Sequence, residues 1–281
     1  LICLLLGFNS ILSFIGIRPS SDQSKQENHI RVLNYNMQYL LSIWDKKRAV
    51  YDSNTDKLVN ELKSHGPIDI FCAPESNQAK RISKGLGLEH FKAVPTNNLV
   101  IFSRYPIIDY GVLDGGFRYK AGAWLDIDFK GITIRVYGLY LMTNQITKAT
   151  NELAENVDPG EKQFWSNVKT ILSGYKNAAP KRVSQAKMIK EHAKKSPHPV
   201  LICGDFNDTP SSHVYYLLKK GMKDAFKIKG SGIGTTFRGN LPALRIDFIL
   251  TDDHFKIHNY KTVKNKHSDH YAIIADLELD L

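Results

Sequence analysis

The sequence predicts one α/β domain built on more than one β-sheet. Apolar runs of strand type alternate with stretches of helical period. Two of those runs are joined only by Lys130-Gly131, the link of an antiparallel hairpin. No linker rich in Pro, Gly or Ser divides residues 30–281. Hairpins mixed with helices need several layers around a shared core. At 281 residues the chain is long for one domain, though two-sheet folds reach that size. Its 42% hydrophobic and 23% charged residues exclude a disordered or collagen-like chain.

Taken in order, residues 1–17 (LICLLLGFNSILSFIGI) are strongly apolar and residues 18–29 form a polar tether. The apolar stretch is expected to be the remnant of a membrane anchor or export signal, although Asn9, Ser10 and Ser13 leave it short of a full span. A buried or partner-covered helix is the alternative. IRVLNYN (30–36) is a strand. From about Thr55 to Ser64, Leu58, Val59 and Leu62 keep helical spacing, and Gly66-Pro67 ends the helix. IDIFCAPES (68–76) and LVIFS (99–103) are strands; AWLDIDF (123–129) and TIRVYGLYL (133–141) flank the hairpin turn.

Residues 161–195 have helical period, with Phe164, Trp165, Val168, Ile171, Leu172 and Tyr175 on one stripe and a break expected at Pro180. Nine Lys or Arg against Glu161 and Glu191 across 161–200 read as solvated helix faces. Thr209-Pro210 is expected to open a short helix that Gly221 stops. RIDFIL (245–250) and YAIIADLEL (271–279) are the last strands.

The net charge of +10 favours anionic partners, whether nucleic acid, phosphorylated small molecules or anionic lipid headgroups, and is equally a solubilising surface. Three cysteines cannot build a disulfide framework; Cys72 and Cys203 sit in apolar runs and are expected to be buried and inert. No Cys/His spacing suits zinc.

The informative feature recurs at strand ends. Asn36 closes one strand, Glu75 the next, and Asp205 and Asn207 follow the apolar run VLICG. Asp247 lies in RIDFIL, and Ser268-Asp269-His270 precedes the last strand. A single Asp at a strand end is usually a turn residue. Six such positions against apolar runs point instead to strand ends converging on a ligand. Along extended chain Asp205 and Asn207 would face one side and Phe206 the other.

The set N-Y-N, A-P-E-S, G-D-F-N-D-T-P, R-I-D-F-I-L and H-S-D-H, in this order over residues 30–281, resembles the endonuclease/exonuclease/phosphatase (DNase I-like) superfamily. S-P-x-P-V-x-I-C-G-D-F-N-D-T-P, with G-x-G-T-T-F before R-I-D, is similar to a bacterial branch whose members often carry N-terminal membrane segments. The resemblance implies a four-layer α/β sandwich, two mostly antiparallel β-sheets packed face to face and flanked by helices. It implies a catalytic domain at 30–281, either membrane-anchored or exported. It also implies Mg²⁺ (or Mn²⁺) held by Glu75, Asn36 and Asp269. Asp205 would deprotonate the attacking water, and Asn207 would orient that water or a phosphate oxygen. His270 would donate to phosphate, with Asp247 as its partner.

Two positions depart from the family. Pro74 stands where Gln is common, and Gly138-Leu139-Tyr140-Leu141 carries Tyr140 where many members have histidine; Tyr140 either binds phosphate or packs beneath the site. GSGIGTTFRG (230–239) lacks the Lys of a P-loop and is taken as a loop with Thr235 or Thr236 near the site. Arg118, Tyr119 and Lys120 form either a phosphate-contact loop or a solvated hairpin tip. The expected activity is a metal-dependent phosphodiesterase, most simply a nuclease. A phosphomonoesterase or a phospholipid-headgroup hydrolase of the sphingomyelinase kind is the alternative, and a non-catalytic phospholigand scaffold the third reading.

Overall fold

The computed structural model of the chain describes residues 15–17, 29–38, 48–94, 98–116, 120–144, 149, 152–153, 158–160, 162–238 and 244–280. The strands in chain order are β1 (Ile15–Ile17), β2 (His29–Asn34), β3 (Ile70–Ala73), β4 (His90–Val94), β5 (Leu99–Ser103), β6 (Ile107–Leu113) and β7 (Gly122–Phe129). They continue with β8 (Ile132–Tyr140), β9 (Val200–Asp205), β10 (Lys223–Asp224), β11 (Ser231–Ile233), β12 (Asp247–Thr251), β13 (Phe255–Val263) and β14 (Ala272–Leu279). The helices are α1 (Arg48–Lys63), α2 (Ala79–Leu86), α3 (Lys162–Lys194), α4 (His213–Lys219) and α5 (Ala225–Lys229).

Two six-stranded sheets carry the fold, ordered β13-β14-β2-β3-β5-β4 and β10-β12-β9-β8-β7-β6. Only β2–β3 and β8–β9 pair in parallel; every other neighbour is antiparallel. The sheets share one apolar layer, in which Val32, Ile70, Cys72, Ile101 and Ile273 meet Leu125, Ile127, Val136, Leu201 and Ile249. The alternate residues face outward. Leu33, Phe71, Phe102 and Ile274 pack with Leu58, Leu62 and Ile82 of α1 and α2. Tyr137, Ile202, Phe248 and Leu250 pack with Ala186 and Ile189 of α3 and Val214 and Leu218 of α4. Central strands are thus covered on both faces, which is why they read as unbroken apolar runs. This is the four-layer sandwich that the resemblance implied.

The hairpin turn is as expected: Lys130 and Gly131 both take positive φ, 55° and 89°, as a tight two-residue β-turn requires. Cys72 and Cys203 are buried free thiols, and burial pushes the Cys72 thiol well above its usual range. Three expectations are corrected. Pro180 does not break the long helix; α3 runs through it from Lys162 to Lys194. One proline removes a single helical hydrogen bond, and the packing of the following turns on the sheet holds the helix past it. The cap of α4 is Ser212, whose side chain accepts from the Tyr215 N–H, so Thr209-Pro210 lie in the preceding turn. Gly221, at φ 70°, lies just past its end. The helix expected from Thr55 starts earlier, at Arg48. The patterns of β4, β6, β13 and α2 were not resolved by sequence periodicity.

Residues 1–14, 18–28, Cys3, Arg118 and Tyr119 lie outside the described residues, whereas Ile15–Ile17 pair with Ser231–Ile233 as β1–β11. Among the described residues no helix is long and apolar enough to cross a membrane. Lys120 is ion-paired with Asp114.

Arg245, the first residue of R-I-D, is fully buried and bonded to Asp224 at 2.9 Å. Its guanidinium lies 4.7 Å from the ring centres of both Phe226 and Phe248. It locks the approach to β12 and therefore the height of Asp247. Because a buried carboxylate without its partner is costly, Arg245→Met is expected to lose about 3–5 kcal/mol of unfolding free energy in a denaturant titration. Replacing Arg245 and Asp224 together by apolar residues should restore most of it.

Candidate active site

Register assembles the site. Asp205 at the end of β9 pairs with Tyr140 of β8 on one side and Asp247 of β12 on the other. Residues in register point to the same face. Tyr140, Asp205 and Asp247 therefore form a row across the sheet end. Gly204, at φ 151°, lies so close to β8 that a Cβ there would run into the Leu139 carbonyl. That close approach explains the glycine in G-D-F-N.

The facing sheet contributes from β2 and β3. Asn34 and Asn36 alternate toward the site, while the Tyr35 hydroxyl donates to Asn265 Oδ1 at 2.8 Å. The parallel ladder continues beyond the strands, Tyr35 N–H to the Cys72 carbonyl and Met37 N–H to the Pro74 carbonyl. Pro74 thus supplies the ladder's acceptor, the one backbone group that proline retains. Glu75, Asn207 and Gln38 take positive φ of 54°, 51° and 42°. Non-glycine residues rarely adopt this conformation, and it is concentrated here around one cavity.

That cavity, about 450 Å³, is lined by Asn36, Gln38, Glu75, Tyr140, Asp205, Asn207, Asp269 and His270, with apolar walls above. Asn36 Nδ2 donates to Asp205 Oδ2 at 3.0 Å and lies 3.4 Å from Glu75 Oε1. The Tyr140 hydroxyl donates to Glu75 Oε1. Asp205 Oδ1 accepts the Asn207 N–H at 2.7 Å, and Asn207 Nδ2 donates to the Leu141 carbonyl at 3.1 Å. The segment after β9 is therefore both a turn and a placement device: Asp205 and Asn207 reach the cavity, while Phe206 stacks on Phe248 in the core.

His270 Nδ1 lies 2.8 Å from Asp247 Oδ2, and its Nε2 is 3.9 Å from both Asp205 Oδ2 and Asp269 Oδ1. Asp247 does not line the cavity; it stands behind His270 and also accepts from Asn34 Nδ2 at 3.2 Å. Thr236 Oγ1 accepts the N–H groups of Ile246 and Asp247 at 3.0 and 3.1 Å, a supporting role in place of direct contact. Gln38 escaped the sequence reading. Its Nε2 donates to Asp269 Oδ2 at 3.0 Å and its Oε1 lies 3.3 Å from the Asp269 N–H. An amide four residues past the end of β2 carries no pattern by which to find it.

Charge follows from burial. The Asp205 carboxyl is pushed up to about 7, first by burial and then by Asp247, against the pull of His270. Burial lowers the pKa of His270, but Asp247, with Asp205 and Asp269 behind it, raises it to about 10. Asp205, Asp247 and His270 form a buried cluster whose ligand atoms lie within 4.8 Å of one another, and with the His270 pKa raised a cation there would have to displace a proton. The oxygen donors of Glu75 and Asp269 face the same cavity, and hard carboxylate oxygens suit Mg²⁺ or Mn²⁺. Asn36 now turns its NH₂ toward the carboxylates; as a ligand it would present Oδ1 instead.

A second cluster, His29, His258 and Glu278, lies at the opposite end of β2. Its imidazoles stack at 4.6 Å and 23°, His29 Nε2 lies 4.0 Å from Glu278 Oε2, and Lys256 Nζ is 3.8 Å from the same oxygen. It is a hydrogen-bonded edge network, with His258 Nε2 2.5 Å from Glu278 Oε2.

Two sheets face to face, with carboxylates, amides and a histidine gathered at one edge, make an α/β sandwich whose strand ends converge on one cavity. The family model described as the Endonuclease/Exonuclease/phosphatase family matches residues 33–270, and the chain belongs to that family. A family protein from Bacteroides thetaiotaomicron superposes with a TM-score of 0.64 at 16% identity, covering 90% of this chain and 98% of the other. A mannosyl-6-phosphatase from the same organism gives 0.62 at 16% identity, with 88% and 99% coverage. The human Nocturnin catalytic domain with bound sulfate gives 0.59 at 16% identity, with 94% and 96% coverage. A search of curated proteins found no match.

The groups facing His270 are Asp247, Asp205, Asp269 and the edge of Phe237. A folded pKa raised from 6.5 to about 10 stabilises the metal-free protein fully below pH 6.5, and that contribution is lost as pH rises through about 10. In ¹⁵N NMR of metal-free protein, both ring nitrogens of His270 should stay protonated at pH 8. Asp247→Asn should bring the titration down by more than a unit, and a ring already neutral at pH 7 in the wild type would contradict the assignment.

Proposed function

We propose that this chain hydrolyses phosphoesters with the help of a divalent cation, by attack of a water held and deprotonated by Asp205. The observation that carries the reading is the convergence of Glu75, Asp269, Asp205 and the His270–Asp247 pair on one cavity. Glu75 and Asp269, with Asn36, would hold the cation. Bound there, Mg²⁺ or Mn²⁺ supplies neutralisation of the phosphate and stabilisation of the leaving oxygen.

The remaining chemistry belongs to the side chains. A carboxylate held near 7 is ionised in half or more of the molecules above that pH and still basic enough to take a proton from water. Its Oδ1 is fixed by the Asn207 N–H and its Oδ2 by Asn36, which leaves little rotational freedom. His270 offers Nε2–H to a phosphate oxygen while Asp247 holds Nδ1–H. Asp247 is thus a positioning residue, acting through the imidazolium. Tyr140 orients Glu75 through its hydroxyl.

The buried Asp205 carboxyl, raised to about 7 by burial and Asp247, favours catalysis over a phospholigand scaffold, because keeping it ionised opposes folding and such groups gather at functional sites. The nuclease form of the activity is less favoured by the cavity than by the charge of +10. Among the described residues lining the cavity none is Lys or Arg, whereas a polynucleotide is held through several basic phosphate contacts. The mannosyl-6-phosphatase relative works on a monoester by its name, so the fold leaves mono- and diesters open, and the assay separates them.

The full chain with Mg²⁺ or Mn²⁺ is assayed on bis(p-nitrophenyl) phosphate, p-nitrophenyl phosphate and plasmid DNA. Turnover of at least one ester should vanish with chelator, and Asp205→Asn should lower kcat by about 10²–10⁴. Turnover indifferent to both the chelator and the substitution would refute the mechanism.

A further inference from the structure

The two halves of α3 have different surroundings. Beyond Pro180, Val183, Ala186, Met188 and Ile189 pack on the sheet, and fully buried Arg182 binds Asp208 at 3.1 Å and the Met142 carbonyl at 2.9 Å. Before it, only Asn167 and Ala178 are buried. Trp165, Leu172 and Tyr175 there are 60%, 65% and 46% exposed. Single exposed apolar side chains are ordinary. These three are spaced by seven and three residues, so they share one helix face, and Leu172 and Tyr175 also form part of the cavity wall.

Lys162, Lys169 and Lys176 are exposed as well, seven residues apart. Each is an i,i+3 or i,i+4 neighbour of Trp165 or Leu172. An apolar stripe with a tryptophan, edged by lysines, is the pattern of a helix lying in the interface of an anionic bilayer. The lysine stems add apolar reach while their heads meet lipid phosphates. Across the cavity Phe237, Leu244 and Ile246 line its wall with apolar side chains.

We propose that the first half of α3 docks on an anionic lipid surface and turns the cavity mouth toward it. Resting on the hydrolase reading above, the substrate is then a phosphoester carried by a lipid headgroup. One phosphoryl group meets the polar floor, and the apolar walls accept the adjoining glycerol- or alkyl-bearing part. A second copy of this chain would bring the same lysine line against itself; a lipid surface brings the opposite charge.

The test uses the full chain and vesicles of equal parts phosphatidylcholine and phosphatidylglycerol, with brominated acyl chains as quencher. The wild type should show a quenched component that Trp165→Phe lacks, which isolates α3 from every other contact with the lipid. Lys162→Gln/Lys169→Gln should weaken partition by about fivefold for each lysine, roughly 25-fold together. Equal quenching in wild type and Trp165→Phe would mean that another segment, the apolar N-terminus included, meets the bilayer, and would overturn the proposal. So would no quenching at all. In parallel, turnover of vesicle lipid and of soluble bis(p-nitrophenyl) phosphate is followed. Soluble turnover without Trp165-dependent quenching sinks the surface and spares the hydrolase. Trp165-dependent quenching without turnover of any ester supports the surface and sinks the hydrolase.

Discussion

Two buried carboxylates on neighbouring strands are the constraint around which the site is organised. Asp205 and Asp247 stand opposite each other in an antiparallel pair, both only 1% exposed. Like charges so placed repel, and burial denies them the screening of water. The arrangement is tolerable because His270 stands between them as a cation, 2.8 Å from one and 3.9 Å from the other. Each partner fixes the charge of the next: Asp247 keeps His270 protonated, and His270 limits how far Asp205 rises. The three therefore behave as one acid–base unit, whose members cannot be exchanged singly without altering the others.

Such a unit has to be held from outside, and much of the fold does so. Arg245 and Asp224 set the start of β12, Thr236 accepts two N–H groups beside Asp247, and Gly204 lets β9 lie against β8. The positive φ of Glu75, Asn207 and Gln38 adds backbone conformations of a kind that cost on the order of 1–3 kcal/mol each. The face-to-face apolar layer supplies the stability against which that strain is held. Strain gathered around one cavity in an otherwise regular sandwich is the pattern of a scaffold serving a site.

Much of this was legible because sheet geometry turns sequence order into spatial order. VLICGD followed by a turn had to bring Asp205 to a strand end, and RIDFIL had to bring Asp247 to another. The hairpin at Lys130-Gly131 was legible because two residues with positive φ leave few alternatives. What sequence could not yield was which strand ends meet, since parallel pairing of β2 with β3 and β8 with β9 is set by long-range packing. The resemblance to a family supplied the two-sheet sandwich, not these pairs, and periodicity supplied neither. Gln38 was missed because its function arises from a loop bent by positive φ, with no periodic neighbour to announce it. β13 was missed for a different reason: FKIHNYKTV mixes apolar and polar residues across a bulge between Ile257 and Asn259, which shifts the alternation midway.

The long helix shows where local rules mislead. Proline was expected to divide residues 161–195 into two helices; instead it marks the point where one helix changes surroundings. On the C-terminal side apolar residues meet the sheet, and the buried Arg182–Asp208 pair ties the helix to the loop after β9. On the N-terminal side Trp165, Leu172 and Tyr175 of the apolar stripe are solvent-facing, and Leu172 and Tyr175 border the cavity. Periodicity reports only that a helix has an apolar face; it says nothing of what that face meets. A core, a partner and a lipid surface all ask for the same spacing. They differ in what flanks it, and lysines every seven residues would be a poor border for a core but a good one for phosphates. Part of the basic charge that favoured anionic partners of any kind is thus distributed, on this helix, beside an apolar stripe instead of along the cavity.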